Sequence, residues 1–111
     1  MASTDMREPT FLVLSALAGG RKHGYGIISD ADAASNGRVK LKAGTLYTAL
    51  DRLTREGLVT PAGDEVVDGR LRRYYELTDP GAEALAVEAK RQQVNASRAL
   101  RQLSTRTAAA Q

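Results

Sequence analysis

The dipeptide Asp68-Gly69, set between Val66-Val67 and Leu71, does most to restrict the fold of this 111-residue chain. Both residues tolerate positive φ, so the pair predicts a two-residue type I′ turn inside a hairpin running from Gly63 to Thr78. A turn of that length sets one register, with Glu65 opposite Arg72 and Asp64 opposite Arg73. Tyr75 and Leu77 then share an inward face. Cross-strand ion pairs are worth roughly a few tenths of a kcal/mol each. Arg70, beside the turn, has no acidic partner in this register and is the better phosphate ligand.

The stretch KAGTLYTALDRLTREG, residues 42–57, reads as a helix closed by Gly57. At about 100° per residue, Leu46, Leu50 and Leu53 fall in one narrow arc, with Ala43 and Tyr47 beside it. Thr45, Thr48, Arg52 and Arg55 lie opposite. Upstream, Pro9 suits the first turn of a helix over Thr10 to Ala18, and Gly19-Gly20 supplies its stop. That helix is apolar nearly all round, so it is either central in the core or shared with another chain. A second helix is predicted from Gly24 to Ala34, with Ile28, Ala31 and Ala34 inward, ending at Ser35-Asn36-Gly37. Arg38 to Leu41 alternates, which predicts a brief strand. Thr78-Asp79-Pro80-Gly81 caps a last helix that runs from about Pro80 past Leu103. Its seam of Leu85, Ala89, Ala96, Leu100 and Leu103 is too thin to build a core alone, and Thr105 to Gln111 is expected to fray.

Three helices and a hairpin in this order make a winged helix-turn-helix, here assigned to residues 1–79, with the C-terminal helix and its frayed tail at 80–111. The fold class is mostly α with a small β-hairpin. Chemistry is more easily excluded than assigned. The chain has no Cys, so disulfides, thiolate nucleophiles and zinc ribbons are out. A single histidine, His23 at the start of a helix, supplies neither a triad nor a multi-histidine metal site. Asp30 with Asp32, or Asp64 with Glu65, lack the signature of a convergent pocket, so no enzyme, metal or cofactor is expected. Met1 to Pro9 lacks the apolar run of a signal peptide, and the stretch near Phe11 to Ala18 is far too short to span a bilayer. A cytoplasmic, membrane-free protein is expected.

The formal charge of +3 is weak evidence, and its placement matters more. Arg38, Lys40 and Lys42 crowd the start of the third helix. Arg70, Arg72 and Arg73 crowd the hairpin. Thr45 and Thr48 are short enough to admit a close backbone. For an isolated amphipathic helix a solvated polar face is the commoner reading; these three features together favour double-stranded DNA, with the helix in the major groove and the flanking cations on phosphates. The alternative is a winged-helix interaction module docking an acidic protein, since fold alone does not settle function.

Three motifs, HGYGI at 23–27, AGTLYTALDRLTREGLV at 43–59 and DGRLRRYYELTDPGAEAL at 68–85, resemble in order and spacing the PadR family of transcriptional regulators. The likeness covers roughly residues 7–90 and is to the compact subgroup with a single C-terminal helix. It implies a homodimer in which the last helix crosses to the partner's first helix, with Phe11, Leu14, Leu85, Ala89, Ala96, Leu100 and Leu103 at the contact. It also implies repression at a near-palindromic operator, with Gly44, Thr45, Tyr47 and the hairpin's basic residues near DNA. The candidate DNA contacts are thus Arg38, Lys40, Lys42, Gly44, Thr45, Tyr47, Thr48, Arg52, Arg70, Arg72 and Arg73. A small aromatic effector, unidentified, is a further partner implied by the family. Two positions depart from the family pattern. Lys42-Ala43 stands where Ser-Pro is common, weakening the helix cap by about 1 kcal/mol, and Thr48 stands where Pro is common. The chain also lacks the Trp that stacks ligand in some members.

Overall fold

The fold comes from a computed structural model that describes residues 6–110. The first five residues and Gln111, the end of the tail expected to fray, lie outside the described residues. In chain order the elements are α1 (Glu8–Ala18), β1 (Lys22–His23), α2 (Gly24–Ala34), α3 (Ala43–Arg55), β2 (Val59–Val67), β3 (Arg70–Leu77) and α4 (Asp79–Ala110). The fold is mostly helical, with an antiparallel three-stranded sheet in the order β1-β3-β2.

α1 carries Pro9 in its first turn, and the chain reverses through Gly20 at φ 131°. Lys22 Nζ donates to the Ala16 carbonyl at 2.7 Å, satisfying one of the acceptors left open at the helix end. The near-uniform apolarity of α1 is explained by its central position. Val13, Leu14, Ala16 and Leu17 are buried, in a core completed by Ile27, Leu46, Leu50, Leu53, Val59 and Tyr75.

Two local expectations are corrected. Arg38 to Leu41 forms no strand; the third strand is Lys22–His23, paired with Tyr75 and Tyr74 of β3. The inward face of α2 is Gly24, Ile27 and Ala31, with Ile28 only partly covered and Ala34 exposed. The turn after α2 is as expected: Asn36 and Gly37 have φ of 55° and 79°, and the Ser35 hydroxyl accepts from Val39 N–H at 2.8 Å.

The hairpin forms in the register set by its turn. Asp68 and Gly69 have φ of 51° and 75°, and Glu65 faces Arg72 while Asp64 faces Arg73. A bulge between Pro61 and Asp64 interrupts the edge strand β2, where a proline that cannot donate is tolerated. Arg21 supports the bulge from outside. It donates to the Ala62 carbonyl at 2.7 Å and lies 4.2 Å over the Tyr74 ring, against which His23 also stacks. The lone histidine therefore packs in the structure.

α4 begins with a side-chain cap: Thr78 Oγ accepts from Gly81 N–H at 3.0 Å and donates to the Gly57 carbonyl at 2.6 Å. Gly81 is needed there, since a Cβ would sit 2.0 Å from the Leu58 carbonyl oxygen. Leu85 packs on the core and Glu88 is 3% exposed, but every residue from 89 to 108 is exposed. The helix continues through residues 105–110, where fraying was expected. This projecting arm raises the radius of gyration to 17.1 Å, against about 13 Å for a compact chain of this length.

Candidate nucleic-acid interface

α3 closes at Gly57, whose φ is 78°, with the bond from Leu58 N–H to the Leu53 carbonyl that marks a Schellman end. Its buried side is Leu46, Leu50 and Leu53, all 0% exposed. Directly opposite runs an outward stripe of Gly44, Thr48, Asp51 and Arg55, spaced i, i+4, i+7, i+11. Thr45 and Arg52 flank the stripe on the side of α1, where Arg52 donates to Thr10 Oγ at 3.0 Å and lies 3.4 Å from the Glu56 carboxylate. Tyr47 flanks it on the other side, 42% exposed, with its ring across the start of α2. A Cβ on Gly24 would meet the Tyr47 hydroxyl at 2.4 Å, so that glycine makes room for the ring.

Two details of the stripe concern what it can touch. The Thr48 hydroxyl donates to the Gly44 carbonyl at 2.9 Å, which leaves its lone pairs outward. Gly44 itself has nothing within 4 Å of where a Cβ would be. A glycine inside a helix costs up to about 1 kcal/mol relative to alanine, and no internal contact requires this one.

The basic residues expected at the interface fall into two groups. Arg38 forks onto Glu8, one bond at 2.6 Å and a second from Nη2 to Oε2, and the pair lowers the Glu8 pKa and raises that of Arg38. Lys40 bonds Asp32 at 2.9 Å, and Arg73 lies 3.6 Å from Asp64. Among the described residues Lys42, Arg55, Arg70 and Arg72 make no ion pair or hydrogen bond through their side chains. Arg72 thus faces Glu65 across the strands without pairing to it. By strand alternation Arg70 and Arg72 share one face of the wing. Leu71 and Arg73 share the other, the face by which Tyr75 enters the core. Next to the turn, Val66 and Leu71 stand opposite each other, 69% and 62% exposed. Burial is the chief cause that raises the Tyr75 pKa; Tyr47 and Asp51 also raise it, against the lowering effect of Arg73. Tyr47, Asp51 and Arg73 thus all lie within electrostatic range of Tyr75, where the wing joins α3.

Of the residues expected between subunits, Ala89, Ala96, Leu100 and Leu103 are exposed along one side of the α4 arm, and Phe11 is partly covered. Leu14 is 0% exposed and Leu85 packs on the same core, so both are occupied by their own chain. Val87 and Val94 are 60% and 55% exposed on the opposite side of the helix. Among the described residues there is no cluster of three or more metal-ligating side chains and no helix long and apolar enough to cross a membrane.

Comparison with known proteins places these features in a family. The profile of the "Transcriptional regulator PadR-like family" matches residues 13–87. A PadR family transcription regulator from Clostridium difficile R20291 superposes with a TM-score of 0.69 at 26% identity, over 87% of this chain and 98% of that one. Bacillus subtilis PadR, solved in complex with operator DNA, gives 0.66 at 26% identity, over 75% of this chain and 47% of that one. A Lysinibacillus sphaericus protein, "Uncharacterized protein X", is 30% identical over 60 residues. The match spans 54% of this chain and only about half, 55%, of that relative's length.

Proposed function

Since the chain belongs to the PadR-like family of transcriptional regulators rather than to a family of enzymes, we propose that it is a homodimeric cytoplasmic repressor that binds a near-palindromic operator. α3 lies in the major groove, presenting Thr45, Tyr47, Thr48 and Arg52 to the bases, with Gly44 beside the sugar-phosphate chain. Lys42, Arg70 and Arg72 bind phosphates directly. Arg38, Lys40 and Arg73 join them by exchanging a surface carboxylate for a phosphate, a modest loss because exposed ion pairs are worth about 0–1 kcal/mol. The observation that carries the reading is Gly44: a helical glycine with open space around it, on the stripe opposite the leucine core. Its stability cost is offset if another backbone, here the sugar-phosphate chain, comes close.

Dimerisation is the second part of the proposal. The exposed side of the α4 arm, Ala89, Ala96, Leu100 and Leu103, covers the outer face of the partner's α1 around Phe11, and residues 80–111 act as the dimerisation segment beside a DNA-binding unit at 1–79. An aromatic effector finds no Trp to stack on in this chain; the partners are DNA and a second subunit. One observation favours a protein partner instead, the exposed Val66–Leu71 pair at the wing tip. A gel-shift titration separates the readings, using duplexes from the region upstream of the chain's own gene. A complex that resists scrambled competitor supports the repressor; no shift at low salt turns the assignment toward protein docking.

A further inference from the structure

We propose that Asp51 is a specificity-determining residue that reads cytosine in each half-site, an inference resting on the DNA-binding reading above. Asp51 occupies the middle of the outward stripe of α3, between Thr48 three residues before and Arg55 four residues after. It is exposed, and among the described residues its carboxylate makes no hydrogen bond or ion pair. Arg55, one turn on, would be the natural i,i+4 partner, yet the two remain apart. Arg52 rests on the α1 side of the stripe, against Thr10 and beside Glu56. Asp51 is thus an exposed acid of this surface, on the side of the stripe toward Tyr47 and Tyr75.

An ionised carboxylate only accepts hydrogen bonds. Against phosphate it is repelled, so on a surface meeting a polyanion an unpaired Asp lowers affinity for every sequence unless it finds a donor. The major groove offers two donors, the amino groups of cytosine and adenine. Adenine N6 stands beside the N7 acceptor, which faces the second carboxylate oxygen unfavourably. Guanine and thymine present acceptors at their major-groove edges, apart from the thymine methyl. Cytosine N4 is the edge that suits Asp51 best. One short residue thus favours one base and penalises contact with the others.

The experiment compares the full-length chain with Asp51→Asn and Asp51→Ala by selection from a randomised duplex library at one fixed salt concentration, followed by titration on the selected and scrambled duplexes. Neither variant loses an internal partner, and thermal melts should coincide. The wild type should select one constant C:G pair in each half-site and disfavour its replacement roughly tenfold. Asp51→Ala should lose that preference while binding scrambled duplex more tightly. Asp51→Asn should move the preference toward adenine, the base an amide reads with two hydrogen bonds. If all three proteins select the same sites with the same ratio of specific to scrambled affinity, Asp51 is solvated surface and the proposal is wrong. If the wild type enriches no sequence at all, the DNA-binding reading itself falls and takes the proposal with it.

Discussion

At the scale of single residues, the interface depends on which side chains are already engaged before DNA arrives. Lys42, Arg55, Arg70 and Arg72 stand without ionic partners among the described residues, whereas Arg38, Lys40, Arg52 and Arg73 each lie beside a carboxylate. Arg52 is the informative case. Its exposed i,i+4 contact with Glu56 is worth about 0.3–0.5 kcal/mol, and a bidentate contact to guanine discriminates by about 1–3 kcal/mol. The second magnitude wins, so Arg52 is expected to leave Glu56 and Thr10 for a base. Arg52→Ala should then reduce affinity for operator by about five- to a hundredfold and affinity for scrambled duplex much less, in paired titrations at one salt concentration. An equal fall on both duplexes would assign Arg52 to phosphate. Sequence indicated the charges but not these partners. Glu8 lies thirty residues from Arg38 and Thr10 forty-two from Arg52, separations that no local pattern encodes.

At the scale of elements, what could be read in advance was whatever carries its own periodicity or turn chemistry. The Asp68-Gly69 turn set the hairpin register residue by residue, and the Leu46, Leu50, Leu53 spacing defined the buried side of α3. β1 was invisible because two residues have no period; Lys22–His23 becomes a strand only by pairing with Tyr74 and Tyr75. Arg38 to Leu41 alternates for a different reason. Leu41 packs against the core, while Arg38 and Lys40 reach surface acids. The way α4 sits on the domain was likewise hidden, since it depends on contact between Gly81 and Leu58. Gly81→Ala tests that contact. Helix propensity alone would gain up to about 1 kcal/mol. A Cβ 2.0 Å from the Leu58 carbonyl oxygen should reverse the sign and cost about 1–3 kcal/mol in a denaturant melt. A neutral or stabilising result would mean that α4 is not seated as described. Further along α4, Glu88 is held by Arg91 at 2.6 Å and Gln92 at 3.0 Å, which lowers its pKa. The stability this gives is present above the ordinary carboxylate value of 4.5 and is lost as the pH falls through the lowered one.

At the scale of the whole molecule, charge and shape divide the chain at the same place. Residues 89–110 hold five basic residues, Lys90, Arg91, Arg98, Arg101 and Arg106, and no acid, so the projecting arm carries +5 and the rest of the chain −2. The net charge of +3 is therefore no signature of the winged unit, whose attraction for DNA must come from local groups on α3 and the wing. Among the described residues nothing covers the arm's apolar side, and the proposed second copy would supply that cover. Removing residues from Lys90 onward should give monomer or insoluble protein by analytical ultracentrifugation; a truncated chain that sediments as a stable dimer would contradict the arm's role. If α3 and the wing together form a DNA-binding surface, the salt dependence of binding should show it. Wild type and the Arg70→Ala/Arg72→Ala double variant are titrated on one operator duplex across a salt series. Each lost phosphate contact lowers the slope of log K against log salt by roughly 0.9, and each substitution would be present in both subunits of the proposed dimer. The double variant should show a shallower slope, with weakening of similar size on operator and scrambled DNA; an unchanged slope would mean that the wing does not lie on the DNA backbone.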